Sequence, residues 1–488
     1  MFDLNVKNFR GFVDQNFQFR KINVLIGENS GGKSSLMKLL LTFKQSCESR
    51  SETQSNLQLY GKHVDIGRYR DIIHNHEVRR HLKFSFTLGA PYWEFVEKSS
   101  SVELLFALVV SDGQRPDEKI SERRRRAEGV IHEMTQGLRI DPVVVDVTIG
   151  ADLASPSSLS VHISHRGIGE VSMTFKNKND VDDPPDLLWG KGAGVVCDLI
   201  FKSNSYGESA WKDIPFHKLG FLTYFRPQRL QEIVIEGKKN KVEANLIWME
   251  LNFLLASQTY LERLFSSIKY VNPLRAESAA RVYLSRDNQP QDDIVGIEDL
   301  IRAISGKNGA KLKARLNKAC RELGIADEID VREDEFTKEL KATINGMENN
   351  IQDVGFGTSL QLPILAQTIL GRNSMRSGIA NTLLIDQPEV HLHPKLQARF
   401  IDVLLQNAGN QNIVIETHSE HIVRMLQLIV KENRHGIKPE DVCIQYFRRN
   451  SDGHSVTLHE IDENGRLSQP FPDSFYDVSY DLAMQLLD

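Results

Sequence analysis

The first residues of the chain alternate. Phe2, Leu4 and Val6 are apolar, and Asp3, Asn5 and Lys7 between them are polar. This is the two-residue period of a strand with one buried face. "FQF" (17–19) repeats the pattern, and "INVLI" (22–26) is an unbroken apolar run suited to a strand buried on both faces. A glycine-rich turn follows, and then an apolar run that predicts a helix from about Lys33 to Phe43. Residues 82–175 hold five apolar or alternating runs: "LKFSFTL", "VELLFALVV", "PVVVDVTI", "LSVHIS" and "VSMTF". Turn residues separate them, which predicts an antiparallel sheet. Residues 176–186 read as a polar loop. Residues 243–268 and 296–325 carry apolar residues at helical spacing. From about 353 strands and helices alternate. "NTLLID" (381–386) and "NIVIETH" (412–418) read as buried strands ending at Asp386 and at Thr417–His418. Residues 394–408, opening on Pro394, and 419–433 read as helices, and "VCIQYF" and "VTLHEI" as closing strands.

Composition narrows the class. Hydrophobic residues at 40% and charged residues at 26% are ordinary for a globular protein that folds in water. A chain of 488 residues exceeds what one core usually spans, so two or three domains are expected. A formal charge of −5 argues against a generally basic nucleic-acid binder. Only local basic stretches remain for that role: "ERRRRAE" (122–128), "KKNK" (238–241) and "KNGAKLKAR" (307–315). Each reads more simply as a solvated face or loop. The four cysteines are scattered without a CxxC pair, which indicates neither zinc nor a disulfide framework. No run approaches the roughly 20 apolar residues of a membrane span, and the N-terminus lacks a signal-peptide core, so a cytoplasmic protein without membrane contact is expected.

Four stretches carry chemistry. Gly27, Gly32, Lys33 and Ser34 fit G-x-x-x-x-G-K-[ST] between a buried strand and an apolar helix. Glycines let backbone N–H groups converge on phosphate oxygens, the helix turns its positive end toward them, Lys33 can reach the β and γ phosphates, and the Ser34 hydroxyl can ligate Mg²⁺. In "LLIDQPEVHLHP" (383–394) three apolar residues lead to Asp386, a carboxylate placed either to hold Mg²⁺ through water or to cap the next turn. In "IVIETHSEH" (413–421) His418 stands at a strand end, where it can bond a γ-phosphate or the attacking water. "DVGFGTSLQLPILAQ" (353–367) places Gly355, Gly357, Thr358 and Ser359 before an apolar helix starting near Leu360, a second anion-binding helix start or a simple cap. His391 and His393 lack a third ligand and read as turn residues.

Taken in order, "NFRGF" (8–12), "GENSGGKSS" (27–35), "DVGFGTS" (353–359), "LLIDQPEVHLHP" and "ETHSEH" resemble the ABC-type ATPases related to RecF, SMC and the overcoming-lysogenization-defect proteins. "DIGRYRDIIHN" (65–75), "YVNPLRAESAARVY" (270–283) and the tail 465–477 resemble further stretches of that group, whereas 82–260 matches none of its motifs. The resemblance implies an α/β fold: an ABC-type P-loop NTPase head with an antiparallel β subdomain and a helical insertion. It divides the chain into an N-terminal part of the head (1–110), a strand-rich subdomain (111–190), a mainly helical insertion (191–345) and a C-terminal part of the head (346–488). It implies ATP and Mg²⁺ as cofactors. Asn29, Ser30, Gly31, Gly32, Lys33, Ser34 and Ser35, with Arg10, would bind ATP. Ser34 and Asp386 would hold the metal, and His418 would be the switch histidine. Gly357 and Ser359 would belong to a signature loop that completes the site of a second copy, so that two heads in a homodimer or higher homo-oligomer sandwich ATP head to tail.

The chain departs from this pattern at Leu360, where relatives often have glutamine, and at Gln387, where the family usually has the glutamate that activates water. An amide can orient water but cannot accept its proton, so hydrolysis is expected to be slow unless Glu389 substitutes. Gln387, Glu389 and His418 are the candidate catalytic residues. No acidic cluster, HNH-like or zinc pattern marks a nuclease in the chain. The expected role is a regulatory ATPase that controls a separate effector, a nuclease, as the resembled Septu and PARIS anti-phage ATPases do. A RecF-like DNA-repair ATPase and a barely hydrolysing scaffold are the alternatives.

Overall fold

The computed structural model describes residues 2–48, 57–98, 141–152, 155–166, 169–177, 195–203, 207–216, 256–271, 281–283, 296–307, 309–334, 337–372, 375–376 and 379–471. The predicted N-terminal alternation produces a hairpin of β1 (Phe2–Phe9) and β2 (Phe12–Phe19), in which Leu4, Val6, Phe12 and Phe17 are fully buried. Strand β3 (Ile22–Gly27) is buried along its whole length and belongs to a different sheet. The hairpin opens an eight-stranded antiparallel sheet in the order β2-β1-β4-β5-β6-β7-β8-β9. Its other strands are β4 (Leu82–Leu88), β5 (Val143–Asp152), β6 (Ser155–His165), β7 (Gly169–Asn177), β8 (Val195–Ser203) and β9 (Gly207–Phe216). The sheet therefore runs straight across the expected boundaries at 110 and 190. The expected strand 102–110 and most of the loop 176–186 lie outside the described residues.

Within 191–345, where a mainly helical insertion is expected, the described residues hold strands as well as helices. Strands β8 and β9 extend the antiparallel sheet into it, because β7 has an open edge of N–H and C=O groups that another strand satisfies. The same stretch also holds β10 (Ile268–Val271), β11 (Arg281–Tyr283), β12 (Glu328–Glu333) and β13 (Thr337–Ile344). Strands β11, β13 and β12, with β14 (Met347–Asn350) on β13, form a separate four-stranded sheet.

The second large sheet has the order β10-β17-β18-β3-β19-β20. Its C-terminal strands are β17 (Thr382–Asp386), β18 (Asn412–Glu416), β19 (Val442–Asn450) and β20 (Gly453–His459), preceded by a short hairpin of β15 (Met375–Arg376) and β16 (Ile379–Ala380). All neighbours are parallel except the β19–β20 hairpin. N- and C-terminal segments thus build one sheet, with β3 central. Strand β18 ends at Glu416, short of the expected His418.

Helix α1 (Lys33–Glu48) runs five residues past the predicted end. Beyond α2 (Tyr69–Ile72) and α3 (Ala90–Lys98), the helices are α4 (residues 256–266), α5 (Ile297–Ser305), α6 (Gly309–Leu323), α7 (Phe356–Gly371), α8 (Pro394–Ala408) and α9 (Glu420–Lys431). Phe43 of α1 meets Phe84 and Phe86 of the antiparallel sheet and Phe265 of α4, with ring centroids 5.0, 5.7 and 4.9 Å away. Leu25, Leu384 and Val414 of the parallel sheet join this core. The other face of that sheet, with Val24, Leu383 and Ile415, packs on α5–α9 through residues such as Ile301, Leu316 and Phe400. Among the described residues no helix is long and apolar enough to cross a membrane.

Candidate functional site

The apolar run of β3 forces the chain to leave the sheet at Gly27, where the phosphate loop begins. Gly27 has φ +130°, and a Cβ there would collide with the Phe447 carbonyl of β19. Gly32 has φ +107°, and a Cβ there would lie 2.6 Å from the His454 ring and 2.7 Å from Phe12. Only glycine combines those dihedrals with that close packing. The β19–β20 hairpin braces the loop further: the Glu28 N–H donates to the Phe447 carbonyl (3.0 Å), and the Arg449 N–H donates to the Glu28 carboxylate (3.1 Å). Asn29 and Ser30 form the exposed tip, with Ser30 at φ +60°. Gly31 is buried, and its N–H donates to the Glu28 carbonyl. Helix α1 starts at Lys33, and its first turn leaves N–H groups without intrahelical acceptors.

Lys33 is buried. Its Nζ donates to the carbonyls of Gly27 (3.0 Å) and Glu28 (2.8 Å). Burial lowers its pKa, while Glu416, Glu28 and Glu389 pull it back up. The Ser34 Oγ donates to Glu416 Oε1 at 2.7 Å. Glu416 is only 2% exposed, and its Oε2 is buried without a hydrogen-bond partner. Burial, and then repulsion from Asp386, raise its pKa to about 7 against the opposing Ser34 hydrogen bond and Lys33 charge. Asp386 and Glu416 are register partners at the ends of β17 and β18, so they share a face of the sheet. The Tyr270 hydroxyl on β10 donates to Asp386 Oδ2 (3.3 Å), which connects Tyr270, the first residue of the stretch 270–283, to the site.

Gln387 follows in a left-handed conformation, φ +42°, with its N–H donating to the Glu416 carbonyl (2.9 Å). Glu389 Oε1 accepts from the His418 N–H at 2.6 Å, and its Oε2 is buried without a partner. Burial raises the Glu389 pKa, with the His418 N–H opposing. His418 is exposed just beyond β18, and its pKa is lowered by desolvation and then by Lys33.

Arg10 turns at φ +49° between β1 and β2, its guanidinium donating to Ser35 Oγ (3.5 Å) and the Ile66 carbonyl (3.3 Å). Its own N–H donates to the Ile72 carbonyl, and its carbonyl meets His74 Nδ1 at 2.7 Å. The stretch 65–75 is thus the cradle of Arg10. Burial lowers the Arg10 pKa, with Asp71 opposing.

Gly357 and Ser359 stand elsewhere. Helix α7 begins at Phe356, earlier than predicted, so both lie in its first turn. A Cβ on Gly357 would be 2.7 Å from the His391 carbonyl, and the Gln361 amide donates to the Pro388 carbonyl at 2.8 Å. Both contacts bind α7 to the loop after β17. Leu360 and Ser359 are buried at 3% and 7% exposure. Gln361, one residue on from Leu360, supplies the amide contact. His393 caps α8, accepting from the Lys395 N–H (3.3 Å), and His391 lies in the preceding turn, as expected of turn residues.

The residue missed in the sequence is Glu416. Its signal was weak: one acid before "TH" on an apolar run. Among the described residues no three His, Cys, Asp or Glu side chains converge as a metal cage. Two carboxylates and a hydroxyl fit Mg²⁺, which is ordinarily held by one or two carboxylates plus water and substrate phosphate. Of the basic stretches, 122–128 and 238–241 lie outside the described residues. In 307–315, Lys313 is engaged by Asp330 (2.6 Å) and Glu328 (3.5 Å).

The chain matches the family described as AAA ATPase domain over residues 1–90 and 235–423, and a family described as protein of unknown function (DUF3696) over 437–486. No curated protein matches it significantly. Among solved structures, the SMC head domain from Thermotoga maritima is 9% identical, with 93% of this chain and 97% of that one covered and a TM-score of 0.33. An SmcHead bound to the C-winged helix domain of ScpA is 11% identical, with 94% and 98% covered and a TM-score of 0.40. The Smc head domain with an extended coiled coil, bound to the C-terminal domain of ScpA derived from Pyrococcus furiosus, is 10% identical, with 100% and 99% covered and a TM-score of 0.33. Likenesses of this size assign no role to any residue here.

Proposed function

We propose, from the premise that this chain belongs to the AAA ATPase domain family, that it binds ATP with Mg²⁺ and acts as a slowly hydrolysing regulatory ATPase. The observation that carries this reading is the meeting of Lys33 and Ser34, at the start of α1, with Asp386 and Glu416 at the ends of two neighbouring parallel strands. Ligands of open α/β sheets bind at the carboxyl ends of the strands. The loop of residues 27–35 would wrap the phosphates, with Lys33 exchanging its carbonyl acceptors for phosphate oxygens. Ser34 and Asp386 would hold the cation. When bound, Mg²⁺ neutralises charge on the β and γ oxygens. Arg10, held against Ser35, would add a cation at the edge of the loop.

Slow turnover follows from Gln387. Its backbone is anchored to the Glu416 carbonyl, so its amide can orient water without taking a proton. Glu389, two residues further on, is committed to the His418 N–H. His418 would sense the γ-phosphate. A long-lived ATP state suits a switch more than a motor. The motif resemblance extends the reading to head-to-tail dimers that hold and release a separate effector nuclease in anti-phage defence. The DNA-repair alternative is not favoured by the one basic stretch that is described, where Lys313 is paired with acids.

The test is nucleotide binding by Lys33→Ala. Loss of a charge-assisted contact to phosphate should weaken ATP affinity about 10- to 100-fold in a calorimetric titration. Wild-type affinity in that variant would overturn the reading.

A further inference from the structure

Position 387 carries an amide, but a carboxylate stands beside Asp386 all the same, on the next strand instead of next in the chain. Glu416 is the register partner of Asp386 across β17 and β18. Its Oε1 accepts the hydroxyl of Ser34 at 2.7 Å. Its Oε2 is buried and has no hydrogen-bond partner, and the residue is only 2% exposed.

A purely structural role explains this poorly. One serine hydroxyl needs one acceptor, which a backbone carbonyl or an amide supplies without burying an acid. A buried carboxylate ordinarily takes several donors or a paired cation. Lys33 is the cation whose attraction reaches Glu416, yet its ammonium already donates to Gly27 and Glu28. Asp386 and Glu389 act on Glu416 as like charges. The surroundings therefore hold more negative charge than Lys33 balances, and an acceptor oxygen is left over beside a hydroxyl of the type that ligates Mg²⁺.

We propose that Glu416 is a second carboxylate of the cation site and holds the divalent ion together with Ser34 and Asp386. The inference rests on the nucleotide-binding reading above and adds to it a residue outside the phosphate loop and the acidic strand end of β17. Glu416 would serve two partners in turn: the Ser34 hydroxyl, and then the cation to which that hydroxyl turns its lone pairs.

The experiment measures the affinity of the full-length protein for AMP-PNP in EDTA and in Mn²⁺, with bound Mn²⁺ read by electron paramagnetic resonance. The variants are Glu416→Gln, Glu416→Asp, Asp386→Asn and Lys33→Ala. The Gln variant keeps an oxygen acceptor for Ser34 and loses only the charge, so a merely structural role predicts no change in the gain that Mn²⁺ confers. The expected result is AMP-PNP binding in EDTA at least as tight as wild type, since a negative charge near the phosphates is gone. The tightening by Mn²⁺ and the bound-Mn²⁺ signal should fall about 10- to 100-fold. Glu416→Asp, with its charge kept, should recover part of the gain. A Mn²⁺ gain in Glu416→Gln equal to wild type overturns the role of Glu416 and leaves the nucleotide reading standing if Asp386→Asn loses the gain and Lys33→Ala loses affinity. Failure of the wild-type protein to bind AMP-PNP at all overturns both.

Discussion

At the scale of single residues, the site is governed by what a side chain can do with a proton. Gln387 and Glu389 lie two positions apart, but the chain presents them differently. Gln387 sits in a left-handed turn with its N–H bonded to the Glu416 carbonyl, whereas Glu389 is held by the His418 N–H. Glutamate at 387 could occupy the same backbone conformation, since Gln and Glu carry similar strain there. Gln387→Glu should therefore raise single-turnover phosphate release about 100-fold or more, the usual contribution of a positioned general base. Release at the wild-type rate would show that Glu389 or another acid already accepts the proton. Arg10 illustrates a different point. "NFRGF" made it a candidate by resemblance, but what holds it against Ser35 is the 65–75 segment, whose Ile66 and Ile72 carbonyls and His74 ring secure it.

At the scale of elements, the phosphate loop is shaped by the two elements that flank it and by a hairpin far away in the chain. Strand β3 delivers it, α1 receives it, and the β19–β20 hairpin presses on it from above. Gly27 is the tightest point, because its φ of +130° and the Phe447 carbonyl leave no room for a methyl group. Gly27→Ala must push β19 away or flatten the loop. We expect ATP affinity to fall at least about tenfold and the protein to lose about 1–3 kcal/mol of stability. Calorimetric titration and urea unfolding would read the two effects. A substitution at Gly346, which also has positive φ but open space around it, provides the comparison, since it should destabilise without touching nucleotide affinity. The loop pattern was legible before the structure. The brace was not, because nothing in residues 27–35 names Phe447 or His454 as neighbours.

At the scale of the whole molecule, two sheets share one helix. Helix α1 lies between the parallel sheet and the antiparallel sheet, and Phe43 is its deepest contact on the antiparallel side. The phosphate loop is therefore mounted on a core that the two sheets share, a firm base for the start of α1. The segment expected as a signature loop stands apart: Gly357 and Ser359 lie in the first turn of α7, packed on the loop after β17. If they complete the pocket of a second copy, mixing should reveal it. Ser359 is buried, so the mild change Ser359→Ala is the partner for Lys33→Ala. One composite pocket of such a pair is intact, and the mixture should recover several-fold more ATP turnover than either variant alone. Recovery no better than the sum of the two would remove the shared-pocket arrangement.

The chain alone determined the parts whose cause is local. Alternation made β1, β2 and β4 readable, since a one-faced strand must alternate. An unbroken apolar run and a spaced set of glycines made β3 and the phosphate loop readable, because that backbone path admits few residues. Lys33, Ser34 and Asp386 were named as candidates for the same reason. Tertiary structure alone decided what depends on neighbours distant in sequence. It carried the antiparallel sheet past 190 into a stretch expected to be helical, because a strand edge must be paired by whatever segment reaches it. It also set Glu416 beside Asp386 and Ser34, because parallel register brings together residues 30 and 382 positions apart in the chain. Hydrogen bonding across strands is set by register and not by sequence distance, and no local pattern records it.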